Sequence, residues 1–181
     1  MKRILVAYAS REGQTEKIAH HMARRLEDKG LGTRLINLIK GPTEAGADDC
    51  DAAIIAASVH RGRHDQELSA FIMRHAPALR GVPTAFTCVS LSAASVHAHD
   101  RAAIDELVQS FFYDIGWYPD RVEHVAGAVR DKKLSLLERY AVHTVMYQKD
   151  IPNDPSGDTE LTDWAALDAF IEDFTAPLKG E

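Results

Sequence analysis

The sequence predicts a doubly wound α/β fold, and three observations carry that expectation. Strand-like apolar runs alternate with helix-like periodic ones along the 181 residues. Two of the middle runs are nearly continuous in apolar residues, as central parallel strands covered on both faces are. Polar loops bearing Gly or Ser follow the first, third and fourth runs, at the ends where open α/β sheets bind ligands. The strand runs are RILVAYA (3–9), TRLINL (33–38), DAAIIAAS (51–58), VPTAFTCVSL (82–91) and RVEHVAGAV (121–129). After the first, Ile18, Met22 and Leu26 recur every four residues and Gly30 follows the last turn, the pattern of a helix with one buried stripe. Residues 100–115 repeat the pattern with Ile104, Leu107, Val108 and Phe111. Trp164, Leu167, Phe170, Ile171 and Phe174 repeat it near the C-terminus, where Thr162 or Asp163 is placed to cap the helix.

The chain length fits one domain over residues 1–181, and an apolar share of 45% with 27% charged residues argues against disordered and fibrous classes. A formal net charge of -6 and the lack of any nucleic-acid motif argue against a general nucleic-acid binder. Lys2 and Arg3 precede an apolar run too short for a signal peptide, and no run reaches the ~18 apolar residues of a membrane span, so a cytoplasmic protein is expected. Cys50 and Cys88 sit far apart in strand-like segments with no metal-ligand spacing. They read as buried thiols, and no metal is expected.

The stretch YASREGQTEKIA (8–19) marks a strand-to-helix turn carrying Ser10, Gly13 and Thr15. The first turn of a helix has unpaired N–H groups and a positive dipole end, so hydroxyls and close backbone approach at this point suit an anion. Neither the lysine-bearing P-loop spacing nor the three-glycine dinucleotide pattern is present, which favours a monophosphate over a nucleoside triphosphate or a dinucleotide. The same residues also suit an ordinary cap, with Ser10 or Thr15 closing the helix. The loops SVHRGRHD (58–65) and VSLSAASVHAHD (89–100) tilt the balance toward a ligand, because all three loops leave the same edge of the predicted sheet.

These loops, in this order on five strands, resemble the flavodoxin-like fold, which implies a parallel sheet of order 2-1-3-4-5 and bound FMN. More specifically, SREGQTEKIA, AASVHRGRHDQELSAFIMRHAPAL, VPTAFTCVSL, WYPDRVEHVAGAVR and the closing TDW are similar to the menaquinone-dependent protoporphyrinogen IX dehydrogenase family. The resemblance implies that Ser10, Arg11, Glu12, Gly13, Gln14 and Thr15 hold the FMN phosphate. It implies that Ser58, Val59, His60, Arg61 and Gly62, with Ser90, Leu91, Ser92 and Ala93, border the isoalloxazine ring. Gly62 suits a peptide flip toward the ring N5. Typical flavodoxins stack aromatic side chains from the second and third loops, whereas here only His60 is available. That departure fits a ring face open to a substrate.

By the same resemblance the substrates are protoporphyrinogen IX and a quinone, menaquinone or ubiquinone, in haem biosynthesis. His60, Arg61, Arg63 and His64 are the catalytic candidates, with His97 and His99 on the facing loop. Imidazoles titrate in the range that proton transfer needs, and guanidinium forks suit the propionates of a porphyrin. Arg61 and Arg63 are the preferred anion contacts. A flavodoxin-like electron carrier and an NAD(P)H:quinone reductase are the competing readings, and a phosphate-binding protein without flavin is a third.

About thirty residues separate the fifth strand from the last helix, where a minimal connection takes ~2 to 6. Residues 131–162 are therefore expected to be an insert, a basic amphipathic helix followed by a loop. From Arg130 to Lys149 five cations stand against two acids, and from Asp150 onward nine acids stand against one lysine. Leu134, Leu137, Ala141 and Val145 share one helical face, flanked by Leu136, Tyr140, Met146 and Tyr147. Such a helix over 131–149 suits peripheral contact with the inner face of the cell membrane, with core packing or a homodimer contact as alternatives.

Overall fold

The computed structural model describes residues 1–41, 46–60, 62–130, 134–152, 154 and 157–179. Five parallel strands form one sheet in the order β2-β1-β3-β4-β5: β1 Arg3–Ala9, β2 Gly32–Asn37, β3 Ala52–Ser58, β4 Thr84–Ser90 and β5 Arg121–Ala126. The order reverses between β1 and β3, which places the switch point where the first and second loops leave the sheet. Every side chain of β4 is buried, as is every side chain of β3 up to Ser58. Helices cover both faces, so neither strand shows a polar alternation.

The faces pack as two cores. On one side Ile18, Met22 and Leu26 of α1 (Gln14–Asp28) and Leu167, Phe170, Ile171 and Phe174 of α5 (Trp164–Thr175) lie over Ile4, Val6, Ile54 and Val125. On the other, α2 (Gln66–Leu79) and α3 (Ala98–Ile115) cover Leu5, Ile55, Phe86 and Cys88. The buried line of α3 is Ile104, Val108 and Phe112, with Leu107 and Phe111 at its margin. Asp163 caps α5 by accepting from the Ala166 N–H at 3.0 Å, and Thr162 serves elsewhere. Cys88 is buried and its thiol is pushed up to about 12 by desolvation. Cys50 departs from expectation: it lies ahead of β3, half-buried, its thiol donating to the Ala47 carbonyl at 3.0 Å.

Past β5, Gly127 interrupts the strand and the chain forms an antiparallel ribbon of β6 (Ala128–Val129) and β7 (Thr159–Glu160). Between them lies α4 (Leu136–Gln148), opened by a capping box in which Ser135 and Glu138 satisfy each other's backbone N–H. The shared apolar face expected here splits. Met146 is buried against Val129 and Ile151, with partly buried Val142, Leu134, Leu91 and Ala94 packed around them. Leu136, Leu137, Tyr140 and Tyr147 point outward, each at least 74% exposed. Leu134 precedes the helix, and Asp131, Lys132 and Lys133 of the expected basic face lie outside the described residues. No helix among the described residues is long and apolar enough to cross a membrane.

Candidate functional site

The first loop leaves β1 at Ser10 and enters α1 through Gly13, whose φ of 99° lies in the left-handed region. An added Cβ at Gly13 would meet nothing within 4 Å, so space stands open in front of the loop. The Ser10 hydroxyl accepts from the Gly13 N–H at 3.2 Å, and no side chain caps the start of α1. The simple helix cap is therefore absent, and the first-turn amides point toward the loop with buried Ser10 and Thr15 hydroxyls beside them. Below the loop, the Tyr8 hydroxyl donates to Glu16 Oε1 at 2.9 Å. Burial, then Glu16, holds that phenol neutral by raising it to about 12.

The second loop leaves β3 at Ser58, with the Val59 N–H donating to the Val89 carbonyl at 3.0 Å. His60 and Arg63 pair through both of their backbone groups around a turn in which Gly62 has φ 74°. Gly62 is thus a position where a side chain would be strained, and it faces open space. Arg61 lies outside the described residues. Side-chain contacts tie this loop to the first, among them Arg11 Nε to Asp65 Oδ1 at 2.5 Å and His60 Nε2 to Glu12 Oε1 at 3.2 Å. Between these loops lies a groove of about 240 Å³ lined by Arg11, His60, Arg63, His64, Asp65 and Glu67. His60 thus rests against Glu12 at the mouth of the groove. Arg63 is exposed and its side chain has no ion-pair partner among the described residues.

His64 turns inward. One imidazole nitrogen, Nδ1, lies 3.1 Å from the Ser58 carbonyl, and the ring stands edge-on to Phe86 and Phe111. Its Nε2 is buried with no hydrogen-bond partner among the described residues. Desolvation lowers its pKa, opposed by the Ser58 carbonyl and Asp65. His64 therefore lines the groove from its inner side, its ring packed on Phe86 and Phe111, while Arg63 stands exposed at the outer side.

The third loop leaves β4 at Ser90, whose hydroxyl accepts from the Ala93 N–H at 3.2 Å, and forms a single 3-10 turn over Ser92–Ala94. Its far end is clasped to the C-terminus of α4. Lys149 pairs with the buried Asp100, whose other oxygen accepts from Ser95 Oγ at 2.6 Å. His97 Nε2 lies 3.0 Å from Asp150 Oδ2 and its ring stacks on His99. The Lys149 and Ser95 hydrogen bonds hold the Asp100 carboxyl below the usual carboxylate range. This clasp was not visible in the sequence, where Lys149 read only as one of five cations.

A second network escaped the sequence for the same reason. The buried side chain of Gln14, first residue of α1, accepts from Arg130 Nη2 at 2.9 Å and donates to Thr162 Oγ1 at 2.9 Å. Thr162 in turn donates to the Ala126 carbonyl at 2.7 Å. One turn further along α1, Lys17 pairs with Glu160 at 2.5 Å and lies over the Trp164 ring. The closing Thr-Asp-Trp segment is thus stapled to the helix that begins at the first loop.

Comparison with known proteins agrees with this architecture. Residues 5–156 match the family model described as a flavodoxin domain. The chain is 25% identical over 171 residues to the protoporphyrinogen IX dehydrogenase (quinone) of Escherichia coli K12, covering 94% of this chain and 93% of that one. A protein of the same name from Leishmania major is 25% identical over 96% of this chain and 75% of its own length. Among solved structures, oxidised flavodoxin 1 from Bacillus cereus superposes with a TM-score of 0.57 at 12% identity, covering 97% of this chain and 98% of its own. A Streptococcus pneumonia TIGR4 flavodoxin gives 0.52 at 19%, covering 97% and 99%.

Proposed function

The chain belongs to the flavodoxin-domain family, and we propose that it is an FMN-dependent dehydrogenase that oxidises protoporphyrinogen IX to protoporphyrin IX with a quinone as electron acceptor, in haem biosynthesis. The observation that carries this reading beyond a flavin carrier is the wall beside the third loop. There α4 is clasped to the loop and turns Leu136, Leu137, Tyr140 and Tyr147 outward, beside loops that offer no Phe, Tyr or Trp to cover a flavin ring.

The residues present fit FMN. The uncapped first turn of α1, the buried hydroxyls of Ser10 and Thr15 and the open space at Gly13 suit a phosphate monoester. Arg11, Glu12 and Gln14 complete that loop; Ser58, Val59, His60, Arg61 and Gly62 would border the ring on one side, and Ser90, Leu91, Ser92 and Ala93 on the other. Bound flavin supplies the two-electron hydride acceptor, and three such cycles complete the six-electron oxidation. The chain's own tasks are to orient and to move protons. Arg63, exposed on the groove, takes a propionate through its planar fork. His60, held by Glu12 at the same groove, is the proton carrier we assign. His64, packed on Phe86 and Phe111 at the inner side of the groove, shapes the loop.

We read residues 131–162 as an insert in a single domain, and its outward apolar face as a peripheral contact with the inner leaflet, where quinones are dissolved. The test is anaerobic. FMN-loaded protein is mixed with protoporphyrinogen in one cuvette and with NADPH in another, and flavin bleaching and porphyrin fluorescence are followed. Bleaching with quinone-dependent porphyrin growth in the first cuvette alone is expected. Bleaching only with NADPH would make the protein a nicotinamide-dependent reductase, and bleaching in neither would make it a carrier for a protein partner.

A further inference from the structure

The first loop has no lysine, and a phosphate monoester carries close to two negative charges at neutral pH, so the source of the balancing cation is a physical question. Among the described residues, four cations reach the first loop or the first turns of α1, of which Lys40 lies farthest out, 4.0 Å from Glu16 and largely exposed. Arg11 is spent on Asp65, to which its Nε donates at 2.5 Å. Lys17 is spent on Glu160. Arg130 differs: its Nη2 is used on a neutral amide, the Oε1 of Gln14, and the nearest carboxylate among the described residues, Asp158, lies 3.6 Å from its Nη1, beyond hydrogen-bond distance.

We infer that Arg130, anchored on Gln14, is the cation of the phosphate loop, and that it gives the site its preference for a phosphorylated flavin. This rests on the flavin reading above. The hydrogen bonds form one directed chain. Arg130 has only donors, so Gln14 presents its carbonyl to Arg130 and its NH₂ to Thr162, whose hydroxyl donates to the Ala126 carbonyl. Gln14 is 5% exposed, so this orientation is fixed by partners rather than by solvent. The guanidinium is thereby held at the first residue of α1, where the unpaired amides already favour an anion. Placed by a neutral partner and paired with Asp158 only at 3.6 Å, it has charge left for a ligand.

The arrangement also joins two parts of the molecule. Arg130 directly follows β6, and Thr162 lies two residues past β7. Both ends of the segment that carries α4 therefore meet on the side chain of one phosphate-loop residue. Filling the phosphate site and ordering the ribbon are in this way coupled, and the coupling is reciprocal.

The test compares two ligands that differ only by the phosphate. Apo-protein is titrated with FMN and with riboflavin by flavin fluorescence, for the unchanged protein, Arg130→Ala, Arg130→Lys and Thr162→Val. Arg130→Ala is expected to weaken FMN at least tenfold and riboflavin by less than about twofold, as losing one charge-assisted contact to phosphate alone would do. Arg130→Lys keeps the charge and is expected to stay within a few-fold for FMN. Thr162→Val breaks the brace without changing charge, and is expected to weaken FMN less than Arg130→Ala does. The salt dependence of FMN binding should flatten in Arg130→Ala. Equal loss for both flavins, or no loss for either, overturns the inference and leaves the flavin reading standing. Should Arg130→Ala not fold, an Arg130→Lys protein that loses FMN and riboflavin in equal proportion does the same. Failure of the unchanged protein to bind either flavin overturns both.

Discussion

The imidazole of His64 is packed by Phe86 and Phe111 and lies one residue before Asp65, so its proton affinity is set by burial against two weaker favourable contacts. Burial wins and the folded pKa falls below the ordinary 6.5. The sign then follows from proton counting. As pH drops below 6.5 the unfolded chain binds the proton first, so stability falls toward the acid side until the folded value is passed. Urea midpoints between pH 7.5 and 5 should decline, and His64→Phe should remove part of that decline, up to about 1.4 kcal/mol per pH unit over the window. An unchanged slope would show that this ring does not titrate differently on folding. Arg63 makes a separate prediction. Exposed and without an ion-pair partner among the described residues, it can be cut to Ala at little cost in stability. Arg63→Ala should raise KM for protoporphyrinogen about tenfold with kcat changed less than threefold, because a remote propionate contact is made equally in ground and transition states.

At the scale of elements, strands and core helices were legible because their signal is local. β1 occupies the expected residues 3–9, and α1 buries the expected Ile18, Met22 and Leu26. Apolar periodicity says which side chains share a face, yet it does not say whether that face meets the core. In α4 the four-residue spacing was real, but the packed contacts are Met146 and Val142, while Leu137 and Val145 are exposed. The phosphate loop was legible as Ser, Gly and Thr at a strand end. Its brace was not, because Arg130 reaches Gln14 across 116 positions and Lys149 reaches Asp100 across 49. The second of these ties gives a test. Asp100→Asn leaves Lys149, three-quarters buried, without its carboxylate. Hydrogen exchange should then accelerate several-fold in residues 136–149 and stay unchanged in α1. In the unchanged protein the clasp should persist through mild acid. A carboxyl held below its usual range contributes stability above the unfolded value near 3.8, and that contribution is lost only as pH falls through the lower folded value. Equal exchange in both proteins would show that the Asp100–Lys149 pair does not hold α4 in place.

Taken as a whole, the molecule puts its three polar loops and the clasped end of α4 at the carboxyl edge of one sheet. A quinone with a long isoprenoid tail is dissolved in lipid, so an enzyme that reduces it gains by resting that edge on a bilayer. A helix showing Leu136, Leu137, Tyr140 and Tyr147 to the outside can bury apolar area there without spanning. The prediction separates delivery from chemistry by changing only the acceptor. Leu136→Glu with Leu137→Glu, both exposed and free of core contacts, should leave folding intact and FMN affinity within about twofold. Turnover with a short-chain, water-soluble quinone should likewise stay within about twofold. Turnover with a long-chain quinone in anionic vesicles should fall at least tenfold, with a matching loss in vesicle sedimentation, since two buried leucines are replaced by charges that the interface repels. Equal turnover with both quinones in the variant would mean that α4 does not bring the site to the membrane. A drop with both would place Leu136 and Leu137 in the substrate site, and unchanged turnover together with a monomer formed from a dimer would make this face a contact between two copies of the chain.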